Sequence, residues 1–156
     1  MTVEELLEIE QIRALRDRYA AAFDSCDVAG FAELFCDDAV CEFPEEFGGS
    51  RVGRDTIAAH FAEQAERMSE PRDAVHVTTN PWITLTGPDT AHGRCYLLDL
   101  RAQQHAEADR AVSADGNPLL FLGMCEDDYR KVDGRWKFAT IRLPFFWADQ
   151  ASEKSR

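Results

Sequence analysis

Apolar residues recur at steps of three and four from Val3 to Phe23, through Leu6, Ile9, Ile12, Leu15, Tyr19 and Ala22, and this spacing predicts an amphipathic first helix. Asp27 precedes Val28–Cys36. There its side-chain oxygen can accept the orphan amide hydrogens of a short second helix whose buried stripe is Phe31, Leu34 and Phe35. Ala39–Phe43 alternates weakly and reads as a first strand, followed by a loop over Pro44–Gly53 that contains Gly48 and Gly49. From Asp55 to Met68 the residues Ile57, Ala58, Phe61, Ala65 and Met68 form the apolar face of a third helix, with His60 at its edge.

Beyond Met68 the chain reads as predominantly β. Val75–Leu85 is rich in β-branched residues, and Pro81 within it predicts an edge strand or a bulge, because proline cannot donate to a ladder. Thr90–Arg101 is the next strand. A polar stretch, Gln103–Asn117, then leads to Pro118–Val132, and Asp133-Gly134 predicts a tight hairpin turn into Arg135–Leu143. Three helices followed by a meander of strands imply an α+β domain with helices packed on one side of a mostly antiparallel sheet. Leu143-Pro144-Phe145-Phe146-Trp147 is too apolar for open solvent and is expected to cover a pocket mouth or a subunit interface.

With 156 residues the chain is the size of one domain, read here as residues 1–150 with a disordered tail over 151–156. Its 45% hydrophobic and 29% charged residues can support a core without metals or disulfides. The net charge of −12 disfavours nucleic-acid and anionic-membrane partners. Met1–Glu10 has neither a basic start nor a long apolar run, so a cytoplasmic location is expected. Cys26, Cys36, Cys41, Cys95 and Cys125 are odd in number and lack metal-site spacing, which predicts reduced thiols and no metal.

Among the four histidines, His76 alone lies inside a β-branched strand, where alternation places it with Thr78 and Asn80 and opposite Val75 and Val77. It is either a core histidine satisfied by a backbone carbonyl or a general base. His92 and His105 are expected to be solvated. Asp24, at the end of the first helix, is either a solvated carboxylate or one turned inward, where it would accept the imidazole Nδ1 hydrogen and leave the other nitrogen basic. Tyr19 precedes it by five residues, about 140° around a helix. Both line one cavity only if the last turn opens. Tyr19 is then either a packed aromatic or a donor toward an oxyanion.

On the last strand Trp136, Phe138, Thr140 and Arg142 share one face by period two, so Arg142 is either a rim residue or a group that holds a substrate carbonyl or carboxylate. Asp127 and Asp128 divide between faces, one of them solvated, and Asp99 can be an inward carboxylate. Dinucleotide, phosphate-loop, nucleophile-elbow and zinc-protease motifs are absent, which points to chemistry without a cofactor.

Several segments, in order, resemble the SnoaL-like branch of the nuclear transport factor 2-like superfamily. They are Tyr19-Ala-Ala-Ala-Phe23-Asp24-Ser25-Cys-Asp27, Phe35-Cys-Asp-Asp-Ala-Val40, Gly53-Arg54-Asp55-Thr-Ile57, His76-Val-Thr-Thr-Asn80 and Tyr129-Arg-Lys-Val-Asp133-Gly134-Arg-Trp136-Lys-Phe138. The likeness runs from about Leu6 to Leu143. It implies a cone-shaped α+β barrel with a hydrophobic pocket, self-association as a homodimer or homotrimer, and a hydrophobic small-molecule substrate or ligand.

Relatives of that branch include scytalone dehydratase, bile acid dehydratase, ketosteroid isomerase and polyketide cyclases. The Asp–His dyad of the first matches Asp24 and His76, whereas its other polar site positions look like Phe23, Phe43, Cys95 and the Gly123 and Cys125 pair. Tyr19, Asp24 and His76 match bile acid dehydratase in kind, and Arg142 matches loosely. The resemblance thus implies a lyase, isomerase or cyclase acting on a steroid, polyketide or terpenoid type of molecule. Asp24, His76 and Tyr19 would be catalytic, and Phe23, Phe43, Asn80, Cys95, Cys125 and Arg142 would line the substrate. A non-catalytic ligand-binding or dimerisation module and an accessory subunit of a larger oxygenase are the alternatives, since the fold hosts many functions.

Overall fold

The structure is a computed structural model and describes residues 1–45, 48–67, 74–101 and 119–148. Three helices, α1 (Val3–Asp24), α2 (Val28–Ala32) and α3 (Arg54–Arg67), accompany six strands, β1 (Phe35–Glu42), β2 (Arg51–Val52), β3 (Ala74–Leu85), β4 (Thr90–Arg101), β5 (Leu119–Val132) and β6 (Arg135–Ala148). The strands form one curled sheet in the order β2-β1-β6-β5-β4-β3, open at both ends. Every neighbouring pair is antiparallel except β1 and β6. The α+β class read from the chain is the observed one.

A capping box starts α1: the Glu5 amide donates to Thr2 Oγ1 at 3.1 Å and the Thr2 amide to Glu5 Oε2 at 2.7 Å. Its stripe of Ile12, Leu15, Tyr19 and Ala22 is buried against Phe31, Phe35, Phe61, Phe138 and Ile141. Asp27 caps α2 as expected, its Oδ1 accepting from the Gly30 amide at 2.9 Å. The helix is shorter than Val28–Cys36, however. The Phe138 amide donates to the Leu34 carbonyl at 2.9 Å, and Phe35 pairs with Phe138, so sheet pairing overrides helical periodicity from Phe35 onward.

The edge and bulge expected from Pro81 both occur. β3 is the outermost strand, its register to β4 shifts between Thr79 and Trp82, and Asn80 takes φ 54°. Asp133 and Gly134 turn with φ 50° and 74°, the positive pair of a tight hairpin. The apolar Leu143–Trp147 segment, expected as a cover, continues β6, with Phe145, Phe146 and Trp147 pairing with Met124, Gly123 and Leu122. Arg51–Val52, expected as loop, pairs with β1. No helix among the described residues is long and apolar enough to cross a membrane. Met68, the Gln103–Asn117 stretch with His105, and the tail over 151–156 lie outside the described residues.

Candidate active site

Asp24 is the last residue of α1. The Ser25 amide bonds back to the Ala21 carbonyl at 3.1 Å and Cys26 adopts φ 56°, so the chain reverses at this point, with Asp24 beside the start of β3. As the edge strand, β3 has amides on one side with no ladder partner. Asp24 takes one of them: the His76 amide donates to both carboxylate oxygens at 3.1 Å. His76 Nδ1 lies 2.6 Å from Asp24 Oδ1. An Nδ1 that donates this bond leaves Nε2 as the accepting nitrogen of the neutral ring. The two side chains are 8% and 17% exposed, largely shielded from bulk water. The Phe23 ring packs on the imidazole at 4.4 Å between centroids.

His76 points inward while Val75 and Val77 are exposed, as alternation requires. Directly across the ladder stands Asp99, buried on the same face. Tyr19 is in the aromatic core, with ring centroids 5.1 Å from Phe31 and 5.6 Å from Phe138, and Phe23 links it to His76. Burial pushes its phenol far up, so the hydroxyl keeps its proton. Phe43 packs, partly buried, against both the main core and a smaller cluster of Cys95, Leu97, Cys125 and Leu143.

A cleft of about 300 Å³ opens between α1 and β3, lined by Arg13, Arg16, Thr78, Asn80, Pro81 and Cys95 among others. Asn80 lies on its exposed rim, its Oδ1 accepting from Thr79 Oγ1 at 2.8 Å. Arg16, on the apolar stripe four residues after Ile12, is buried and donates to Asp127 Oδ1 at 3.0 Å, and the Tyr129 hydroxyl donates to Oδ2 at 2.8 Å. Burial raises the Asp127 carboxyl above its ordinary range, and the guanidinium partly offsets this. Sequence reasoning passed over this ion pair. The available signal was an arginine at helical spacing inside an apolar stripe, together with the inward member of the Asp127-Asp128 pair.

Arg142 is displaced from the expected face. Period two breaks on β6, where Tyr129 pairs with Phe138 but Asp128 with Thr140. The extra residue flips the strand, so Ile141 and Leu143 are buried and Arg142 joins the opposite face. There it donates to Asp128 Oδ2 at 2.7 Å and Glu42 Oε2 at 3.1 Å, beside His92, whose Nδ1 is 2.9 Å from Asp128 Oδ1. Arg142 is therefore remote in facing from the inward Asp24–His76 pair. His92 is exposed, as expected. Partial burial opposes ionisation of Asp128, but hydrogen bonds from His92 and Arg142 outweigh it and hold the carboxyl below the usual range. Among the described residues, no cluster of three or more His, Cys, Asp or Glu is placed to hold a metal ion.

Residues 4–142 match the model of the SnoaL-like domain. A solved Mycobacterium tuberculosis protein of unknown function, Rv3472, superimposes with a TM-score of 0.73 at 28% identity over 98% of this chain and 79% of its own. A Novosphingobium aromaticivorans protein provisionally assigned as a scytalone dehydratase gives 0.73 at 20% identity, over 96% and 93%. The association domain of Caenorhabditis elegans CaMKII gives 0.68 at 15% identity, over 90% and 98%. The last two likenesses concern the fold alone. A search of curated proteins gives no significant match.

Proposed function

For a chain that belongs to the SnoaL-like family, we propose a lyase or isomerase acting by proton transfer on a hydrophobic, oxygenated small molecule of steroid, polyketide or terpenoid type. The observation that carries this reading is the 2.6 Å contact between His76 Nδ1 and Asp24, and with Nδ1 so engaged Nε2 is the proposed base. His76 Nε2 removes a proton next to a carbonyl, Asp24 holds the tautomer and stabilises the imidazolium that forms, and the proton returns from Nε2 at a different atom or to a leaving hydroxyl. Tyr19, kept protonated by burial, is the proposed donor toward the enolate oxygen. Phe23, packed on the imidazole, is the proposed apolar wall, and Phe43, Asn80, Cys95 and Cys125 are proposed to complete the lining.

The same reading includes a homodimer or homotrimer, supported by the exposed apolar side chains of Val75, Val77 and Tyr96 on the outer sheet face. The free thiols of Cys36, Cys41, Cys95 and Cys125 are compatible with a cytoplasmic location. An alternative, a ligand-binding module without turnover, is favoured by the apolar Phe23 and Phe43 at positions that are polar in the dehydratase likeness.

The test is a panel of steroid and polyketide ketones assayed for binding and for turnover with the wild type, His76→Ala and Asp24→Asn. General-base catalysis is worth roughly 100-fold to 10,000-fold, and His76→Ala is expected to lose about that much in kcat with binding retained. Tight binding with no turnover, or turnover unchanged by His76→Ala, overturns the enzyme reading.

A further inference from the structure

Away from the Asp24–His76 pair, two thiols meet on the inner face of the sheet. Cys95 of β4 and Cys125 of β5 are direct cross-strand partners, both buried, in a small apolar cluster with Leu97 and Leu143. Facing residues of antiparallel strands hold their Cα atoms about 4.5–5.5 Å apart, inside the roughly 4.4–6.8 Å window of a disulfide. The two thiols are close enough to interact, and the buried guanidinium of Arg16, anchored by Asp127 two residues along β5, lies close by. Cys95 also lines the cleft between α1 and β3, which gives a small solute a path to it.

We propose that Cys95 and Cys125 form a reversible dithiol–disulfide site, oxidised by a small hydroperoxide that enters this cleft. The Cys95 thiolate attacks one peroxide oxygen; the S–O bond forms, the O–O bond breaks, and the leaving oxygen takes up the thiol's proton as water or an alcohol. Cys125 sulfur then attacks Cys95 sulfur; the S–S bond forms, the S–O bond breaks, and water leaves with the Cys125 proton. One hydroperoxide is reduced as two thiols are oxidised, and an external dithiol restores the pair.

Cys95 attacks first because it is the member of the pair that borders the cleft, and the surroundings favour the same order. The hydrogen bond from Cys125, helped by the Arg16 charge and opposed by burial, brings the Cys95 thiol down to about 7, whereas that same bond and burial raise Cys125. Cys41, buried without a cross-strand thiol, is pushed up to about 12. Reactive thiols need thiolate character and access, and of the two Cys95 is the one that borders the cleft.

Peptide mapping of the full, reduced chain after brief hydrogen peroxide treatment and alkylation tests this. The expected product is a Cys95–Cys125 linked peptide pair within one chain, lighter by two hydrogens and reversed by dithiothreitol, formed about tenfold faster than oxidation of Cys26 or Cys41. With Cys125→Ser, dimedone should trap a sulfenic acid at Cys95. The proposal is overturned if Cys95 and Cys125 both remain alkylatable, if Cys95 links to another cysteine or another chain, or if it passes to the sulfinic acid while Cys125 stays reduced. Should Cys125→Ser fail to fold, the wild-type map decides alone.

Discussion

One carboxylate at Asp24 satisfies a backbone amide and an imidazole of the same residue, so the His76 main chain and ring are fixed together. Asn at position 24 would keep the shape but offer a competing NH2 to Nδ1. We expect Asp24→Asn to move the ring hydrogen of neutral His76 from Nδ1 to Nε2. Long-range proton–nitrogen NMR of the imidazole reads this directly; an unchanged tautomer would mean that Asp24 does not set it. At this scale the sequence was informative about type more than about contact. A histidine amid β-branched residues and an aspartate ending an apolar helix were visible, but 52 residues separate them and only the edge position of β3 lets the carboxylate reach its amide. Arg142 misled because period two assumes an unbroken ladder, and a bulge has no compositional mark here.

Elements were legible where periodicity was strong. α1, α3, the β4 strand and the Asp133-Gly134 turn lie within a residue or so of their expected bounds, whereas β6 runs to Ala148 rather than Leu143, and α2 and β1 were exchanged over Phe35–Cys36 because pairing with β6 is a long-range effect. Two changes test how the elements pack. A Cβ at Gly93 would stand 2.5 Å from Ile83 Cδ1, 3.0 Å from Tyr129 Cε2 and 3.3 Å from the Trp82 carbonyl oxygen. Ile83 can rotate away, but the ring and backbone cannot, so Gly93→Ala should lower stability by about 1–3 kcal/mol in urea unfolding. Between α1 and β5, removing one member of the buried pair leaves an uncompensated charge or donor. Arg16→Met should cost about 3–5 kcal/mol, and Arg16→Met combined with Asp127→Leu much less than the sum, a non-additivity that a double-mutant cycle measures.

For the whole molecule, the outer sheet face has two parts. Val75, Val77, Trp82 and Tyr96 are exposed apolar residues, and Glu42, His92, Asp128 and Arg142 form a charged network. Sedimentation at micromolar concentration is expected to show an oligomer that Val77→Lys dissociates; a wild-type monomer contradicts that expectation. The network gives stability a pH dependence. Because the Asp128 carboxyl is held below its unfolded value, its contribution is present above the unfolded carboxylate range and is lost as pH falls through the folded value. Asp128 and Arg142 are 40% and 34% exposed, so solvent screening keeps this under about 1 kcal/mol. Asp128→Asn should therefore destabilise slightly at neutral pH and not at all in strong acid, as paired denaturation curves would show.

The central claim is that His76, oriented by Asp24, removes a proton next to a carbonyl. Its most direct test is deuterium uptake from heavy water into ketones shown to bind, followed by mass spectrometry with wild type and His76→Gln. The account predicts enzyme-dependent exchange at the carbon beside the carbonyl, reduced roughly 100-fold to 10,000-fold by His76→Gln with binding intact. Exchange at equal rates in both proteins, or none in a bound ketone, would contradict it.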